Sequence, residues 1–470
     1  MKALLISRYP IVILLLVAIA VRAITLGNPV IEGDEEFFYF TGNAMWHGAL
    51  PFVDIWDRKP FGLFLIYAGA AGLGFPAGIW AYQALALACV AGTAAMIARL
   101  ATLIGFGRRA TLAGVAYIVW LGLLGGHGGQ PPVFYNLLMI VGAALIATGR
   151  RWPGAAAMAL VGVALQIKYS VVFEGVFFGL WLMADEFRRT RSAGSAIAYG
   201  VLLVALALLP TIAVAVFYMG VGHWQEFVFA NFQSVFLRNA DRHNQIFNLL
   251  KIVLINSPLI AMAWASFRRA DVKGSPARRF MFMWLAAAMI GVLLFPPWFD
   301  HYSLPVLVPL CICAAGCPGT DWWQNRAAPA VLLVVALGEQ ALLFSQRVGF
   351  GTPAQFAAIA SSVGRGPGCL YVYSGTTMLY VVTQRCTLSR YVLPSHLNRT
   401  REAGATGVDQ DAEIRRILAN RPAVVVMRPS YTGERPQAHA LVQRAMNERY
   451  LLADRLPMGR ELVSIYRLKP

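Results

Sequence analysis

Charge is scarce in this chain. Only 13% of its 470 residues are Asp, Glu, Lys or Arg, against 58% hydrophobic, and the mean hydropathy is +0.58. That balance excludes an ordinary soluble globular protein. Acidic residues are the rarest charged class, 23 against 40 basic ones, and the net charge of +17 raises the question of a nucleic-acid partner. The placement of the basic residues answers it. They gather in short loops at one end of the hydrophobic runs, at Arg108-Arg109, Arg150-Arg151, Arg188 to Arg191 and Arg268 to Arg279, with 17 more beyond Gln346. This is the positive-inside pattern of a polytopic membrane protein, and no nucleic acid is implied.

Cysteine is sparse too, with six residues. Cys89, Cys311, Cys313 and Cys317 fall in or beside hydrophobic runs, where they serve as small packing residues, and their spacing is not that of zinc ligands. Cys369 and Cys386 lie in a polar tail, where a disulfide is plausible if the tail is outside the cytoplasm. No internal repeat of the kind that builds an inverted-repeat transporter is evident. The tail has no Gly-rich phosphate loop and no nucleophile motif.

Against this scarcity, the stretch from Ile31 to Phe61 holds six of the 23 acidic residues. It follows one hydrophobic run directly and precedes another. Carboxylates are costly near hydrocarbon, so an acidic cluster at a membrane surface is a functional-site hypothesis, with a solvated loop as the competing account. A solvated loop would not carry Phe37 to Phe40, Trp46, Leu50 and Phe52. A helix lying in the interface would, with Asp34 at its N-terminal end where the macrodipole favours an anion. The cations Arg58 and Lys59, followed by the stiff Pro60, close the other side of the loop.

One carboxylate facing cations suits transfer of a sugar from a lipid phosphate to a hydroxyl. The attacking oxygen must lose a proton, which asks for one general base. Phosphate leaves unprotonated if cations stabilise its developing charge. Glycoside hydrolysis differs in needing a second carboxyl to protonate a poor leaving group.

Asp34-Glu35, Gly48, Pro51-Phe52, Asp54, Asp57 and Lys59-Pro60 resemble the first periplasmic loop of GT-C glycosyltransferases of the protein O-mannosyltransferase and aminoarabinose transferase type, glycosyltransferase family 39-like. The match departs at Phe61, where the usual motif has a second proline. The resemblance implies an inverting enzyme that uses polyprenyl-phosphate sugars, with Asp34 as the catalytic carboxylate. It also places Lys168 near the donor phosphate and likens His301-Tyr302 to a His-Tyr pair that contacts donor phosphate or sugar. For Lys168 the competing account is snorkelling, and for His301 helix capping or packing.

Read in order, the chain opens on a retained first helix from Ile11 to Leu26, with Arg22 near its outer end, snorkelling or facing the active site. A juxtamembrane helix follows Lys59. Further spans are expected at Ile79–Leu103, Ala110–Leu124, Val133–Thr148, Pro153–Leu165, Val171–Met183, Ser195–Met219, Ile246–Phe267, Phe280–Phe295, Ser303–Cys317 and Ala327–Phe344. That makes about eleven crossings, several shorter than the roughly 20 residues a bilayer needs. An odd number puts the tail and Asp34 on one outer side. From residue 346 charge rises, and strand-like runs at Cys369, Ala423 to Met427, Leu451 and Leu462 alternate with helical stretches at Asp411 to Ala419 and Gln437 to Asn447.

The expected protein is therefore a membrane all-α GT-C fold, residues 1–345, with a small C-terminal periplasmic α/β domain, residues 346–470, in a bacterial inner membrane. Its partners are the bilayer, a polyprenyl-phosphate-linked sugar donor and a periplasmic acceptor: glycolipid, polysaccharide or protein. The catalytic residue is Asp34. Glu35, Arg58, Lys59, Lys168, His301 and Tyr302 are substrate-binding candidates, with Glu35 and Glu36 either orienting Lys59 or binding a cation. The cofactor is left open between a divalent cation and none, with no organic cofactor. Glu174 pairs with Lys168 or enters the membrane protonated, and Arg238, Asp241, Arg242 and His243 form a polar outer-loop cluster that is solvated or contacts substrate. His127 and Gln130 mark the second outer loop, which lacks the carboxylate that related enzymes often carry. Two rivals remain. An O-antigen ligase or polymerase would rely on outer-loop arginines and a late-loop histidine, and a lipid or solute transporter would place charges at mid-span.

Overall fold

The computed structural model describes residues 8–239, 242–268, 275–319 and 326–470; Asp241, Arg269 and Lys273 lie outside the described residues. In chain order the first helices are α1 (Arg8–Arg22), α2 (Gly33–Met45), α3 (Phe61–Ala71), α4 (Ala77–Ala101), α5 (Ala110–Leu123), α6 (Pro131–Ile146), α7 (Arg151–Leu165), α8 (Val172–Thr190) and α9 (Ala193–Gly220). They are followed by α10 (Trp224–Val228), α11 (Arg242–Phe267), α12 (Pro276–Leu293), α13 (Leu307–Ala314) and α14 (Ala328–Phe350). The tail adds α15 (Pro353–Val363), α16 (Met378–Thr383), α17 (Ser395–Asn398), α18 (Gln410–Ala419) and α19 (Pro436–Arg449), with strands β1 (Leu370–Val372), β2 (Val424–Met427), β3 (Tyr450–Met458) and β4 (Glu461–Leu468).

Contacts divide the chain into two compact units. One comprises Met1–Ile24, Gln83–Val214 and Arg242–Leu342; the other comprises Thr25–Tyr82, Ala215–Asp241 and Leu343–Pro470.

Among the described residues, all regular structure of the first unit is helical. Among the described residues of the chain, five helical stretches are long and apolar enough to cross a membrane: Ala77–Phe106, Ala193–Gly220, Gln245–Phe267, Pro276–Leu293 and Ala328–Val363. Their apolar side chains face outward, as Leu209, Ile212, Leu254 and Val334 do. Lipid tolerates that exposure where water would not, and the helix satisfies every backbone group internally. The helix α9 carries Pro210 in its interior. Shorter apolar helices such as α5, α6 and α7 are instead largely buried. A 14-residue helix rises only about 21 Å, short of a bilayer core. Within this unit α1 packs on α5, α6 on α7, α8 on α12, and α13 on both α5 and α11.

The second unit joins the acidic segment to the tail. The helices α2 and α3 lie against each other at glycine distance: a Cβ on Gly42 would come within 2.5 Å of the Ala68 backbone nitrogen. A four-stranded sheet in the order β1-β2-β4-β3 forms the tail's core, with β1 parallel to β2 and the other neighbours antiparallel. The central strand β2, VVVM, is buried at every position, as its β-branched run requires. The ends of the tail helices follow local chemistry. Thr352 and Gln355 form a capping box on α15, and Asp409 accepts from the amides of Asp411 and Ala412 at the start of α18. Cys369 and Cys386 are joined in a disulfide that ties the start of β1 to the segment after α16.

Candidate active site

The segment between α2 and α3 has no regular structure, and tertiary bonds hold it in place. Phe52 adopts φ +71°, a left-handed conformation that bulky residues rarely take. Its amide donates to the Ile55 carbonyl at 2.6 Å, and its ring is buried against Tyr218 and Phe227 at centroid distances of 5.3 and 5.9 Å. The Tyr218 hydroxyl donates to the Pro51 carbonyl at 2.9 Å, Asp54 accepts from the Leu50 amide at 2.7 Å, and the Trp56 amide donates to the Arg390 carbonyl at 2.9 Å. Arg58 and Lys59 therefore leave a fixed base.

Asp34 stands in the first turn of α2, where free amides make the helix end a favourable place for an anion. Lys59 Nζ lies 3.9 Å from Asp34 Oδ2 and 5.2 Å from the centre of the Phe38 ring. Both side chains are about one-third exposed, 36% for Asp34 and 30% for Lys59. A ligand can thus reach the pair. Glu35 beside it is buried.

Arg58 is turned inward. Its Nε donates to Ser234 Oγ at 2.9 Å, Nη1 to Glu402 Oε2 at 2.7 Å and Nη2 to the Ala405 carbonyl at 2.8 Å, while the guanidinium lies 4.6 Å from the Trp56 ring centre. Every guanidinium nitrogen is thus committed within the protein, which suits positioning of the loop rather than contact with a ligand. Glu402 gathers Arg238 as well, at 2.6 Å, and Arg401 at 3.5 Å. Burial alone would raise this carboxyl, but Arg238, Arg58 and Arg401, helped by His396, outweigh it and hold Glu402 at about 2. His396 is buried edge-on to Trp56, 4.7 Å between ring centres, and 4.0 Å from Asp57 Oδ1; burial pushes its imidazole down to about 3. Asp57 is also raised by burial, and its Oδ1 accepts from the Arg58 amide at 2.5 Å.

Glu36 faces the tail rather than the Asp34-Lys59 pair. Burial raises its carboxyl to about 7, against a lowering hydrogen bond with Thr376 and the charge of Arg428. A carboxyl raised in the folded state contributes most below its ordinary 4.5, and that contribution is lost as pH rises through about 7. Glu36→Gln is accordingly expected to raise the melting temperature at pH 8.5, by up to about 3 kcal/mol of stability, with the difference fading by pH 4.5. Equal melting curves at both pH values would contradict this.

The remaining candidates belong to the helical unit. Lys168 Nζ lies 4.7 Å from the Tyr302 ring centre, and the His301 and Tyr302 rings meet edge to face at 4.9 Å. Tyr302 closes a short turn, Asp300–Tyr302, in which Asp300 pairs with Lys251 at 2.7 Å. Glu174 takes Trp284 as its partner, accepting from the indole at 2.6 Å, and not Lys168 as its spacing had suggested. A buried carboxyl needs a donor at its own depth, and the facing helix supplies one. Arg22 does not snorkel: it is buried and donates to the carbonyls of Gly126 at 2.6 Å and Gly128 at 2.5 Å, where His127 is buried too. Among the described residues no group of three or more His, Cys, Asp or Glu side chains could hold a metal ion.

Sequence reasoning did not find Glu402 or His396, and it named Arg238 without its partner. Arg58 and Glu402 are 344 residues apart, and no local signal links them.

The architecture, a bundle of membrane-length helices with a small sheet, is the GT-C fold. Two solved structures of ArnT from Cupriavidus metallidurans share it. The one bound to undecaprenyl phosphate has a TM-score of 0.67 at 15% identity, covering 98% of this chain and 98% of that chain. The one in the apo state has a TM-score of 0.66 at 17% identity, covering 97% of each. No family model and no curated protein sequence matches the chain.

Proposed function

We propose that the protein is an inverting glycosyltransferase that moves a sugar from a polyprenyl phosphate to an acceptor hydroxyl at the periplasmic face of a bacterial inner membrane. The observation that carries this reading is the reachable carboxylate of Asp34 at a helix N-terminus, 3.9 Å from Lys59. In the resting pair the ammonium neutralises the carboxylate. When the donor phosphate arrives, the lysine turns toward it and the carboxylate is released as a base. Asp34 then takes the acceptor's proton as its oxygen attacks the anomeric carbon. The bond from that carbon to the phosphate oxygen breaks, its electron pair stays on the phosphate, and Lys59 steadies the new charge. The ArnT structure bound to undecaprenyl phosphate supports a lipid phosphate as the donor class. The disulfide supports an oxidising compartment for the tail, residues 346–470, which fits about eleven crossings and a periplasmic C-terminal domain.

Lys59→Met is expected to raise the donor KM about 10–100-fold, the worth of one charge-assisted hydrogen bond, while Lys59→Arg retains part of the affinity. Transfer from polyprenyl-phosphate sugars in membranes measures this. An unchanged donor KM in Lys59→Met would remove the lysine from the phosphate site. The same assay tests Lys168, His301 and Tyr302, for which we propose donor contacts: Lys168→Met should also raise the donor KM.

A further inference from the structure

A second cavity opens in the tail, at the carboxyl end of β2. It holds about 280 Å³ and is lined by Met427, Arg428, Ser430, His439, Arg455 and Tyr466 among others. Its place follows from topology. Beyond the end of β2 the chain turns toward α19, and the cavity lies between that turn, α19 and the antiparallel strands β3 and β4. The Arg428 amide donates to Ser374 Oγ at 2.8 Å, so the ends of β1 and β2 are tied together.

The charge in the cavity is unbalanced. Arg455 is exposed, and its side chain makes no hydrogen bond or ion pair among the described residues. Arg428 meets Glu461 at 3.2 Å, but that glutamate is 41% exposed and its pairing is weakened by water. Arg428 Nε is buried and has no partner among the described residues. Leaving such a donor unmet is unfavourable, and an anion would satisfy it. The other carboxylates near Arg428 are already used: Glu36 is buried in a hydrogen bond with Thr376, and Glu434 accepts from the Tyr373 hydroxyl at 2.7 Å and lies 3.1 Å from His439 Nδ1. Two guanidiniums and an imidazole thus converge on a space too small for a whole glycolipid but adequate for one anionic group.

We propose that this cavity is a phosphate site, in which Arg428 and Arg455 grip the oxygens of a phosphate group and His439 flanks it. The group is carried either by a phosphorylated acceptor or by an anionic phospholipid headgroup. This site is separate from the Asp34-Lys59 pair, and the inference stands whether or not that pair catalyses transfer.

The test is calorimetric titration of inorganic phosphate into the full chain in phosphatidylcholine nanodiscs. Saturable binding is expected, weakened at least tenfold in Arg455→Gln and in Arg428→Gln, and retained in Arg460→Gln, whose arginine lies outside the cavity. Arg455 is exposed, so its variant is expected to fold even if Arg428→Gln does not. No saturable binding overturns the proposal, as does binding that both Arg455→Gln and Arg428→Gln leave at full strength. Repeating the titration in nanodiscs containing phosphatidylglycerol separates the two sources. A weakened phosphate affinity there identifies the lipid headgroup as the occupant, and an unchanged affinity identifies an acceptor-borne phosphate.

Discussion

Asp34→Asn is expected to lower sugar transfer by about 10²–10⁴-fold, the usual contribution of a positioned general base. Asparagine keeps the size of the side chain and can still accept a hydrogen bond, so the start of α2 should fold as before. It cannot take the acceptor's proton. The donor KM should change little, because the phosphate is held by Lys59, and removing the carboxylate releases that ammonium from a 3.9 Å pairing. A fall in kcat at nearly constant donor KM is therefore the signature. Asp34→Glu should recover part of the rate, since its longer carboxylate remains at the exposed helix end. Initial rates of transfer in membranes, normalised to the amount of folded protein, would measure both. If Asp34→Asn transfers sugar at the wild-type rate, another group takes the proton and the assignment fails.

Glu402→Gln is expected to destabilise the second unit by about 3–5 kcal/mol, the cost of leaving buried cations without their counter-ion. The carboxylate is 3% exposed and receives Arg58 and Arg238 at 2.7 and 2.6 Å. A neutral amide retains some hydrogen bonding but no charge, so two guanidiniums would repel each other in a poorly solvated place. The acid profile follows from the same geometry. Glu402, held at about 2, contributes fully above its ordinary 4.5, and that contribution disappears as pH falls toward 2. His396, pushed down to about 3, acts in the same direction, because acid must charge a buried imidazole as pH falls from 6.5 toward 3. Between neutrality and pH 4.5 Glu36 opposes His396, so the wild type should lose stability chiefly below about 4.5, and Glu402→Gln should flatten that part of the curve. Activity should fall too, because Arg58 sets the position of Lys59. Thermal unfolding of the purified protein between pH 3 and 8 provides the check, and a variant that melts like wild type throughout would show that the cluster carries no such load.

Much of the helical architecture was legible in the residues alone, because its signals are local. The expected span at Ser195–Met219 is α9, Ala193–Gly220, while that at Ala110–Leu124 is the helix α5, Ala110–Leu123, which is shorter than a bilayer needs. The tail strands and its two longest expected helices fall at β1 to β4, α18 and α19, because alternating burial and helical periodicity repeat over a few residues. The helix α16 was not anticipated: its MLYVVT run has the composition of a strand, and its place beside α2 makes it helical. Of the two expectations for Glu174, pairing with Lys168 gave way to Trp284 for a similar reason. Only six residues separate the two charges in sequence, while the packing of α8 on α12 delivers Trp284 instead.

The candidate site divides along the same line. Composition and order along the chain were enough to mark a membrane protein and to single out Asp34 and Lys59, because a carboxylate at the edge of a hydrocarbon layer is costly wherever the chain then goes. Which cation stays near the surface and which is turned inward was decided only by folding. Arg58 and Lys59 are neighbours in sequence, yet one is closed in by Glu402, Ser234 and Ala405 while the other remains at the surface beside Asp34. Desolvation and pairing depend on what lies within a few ångströms in space, and residues hundreds of positions apart set those distances.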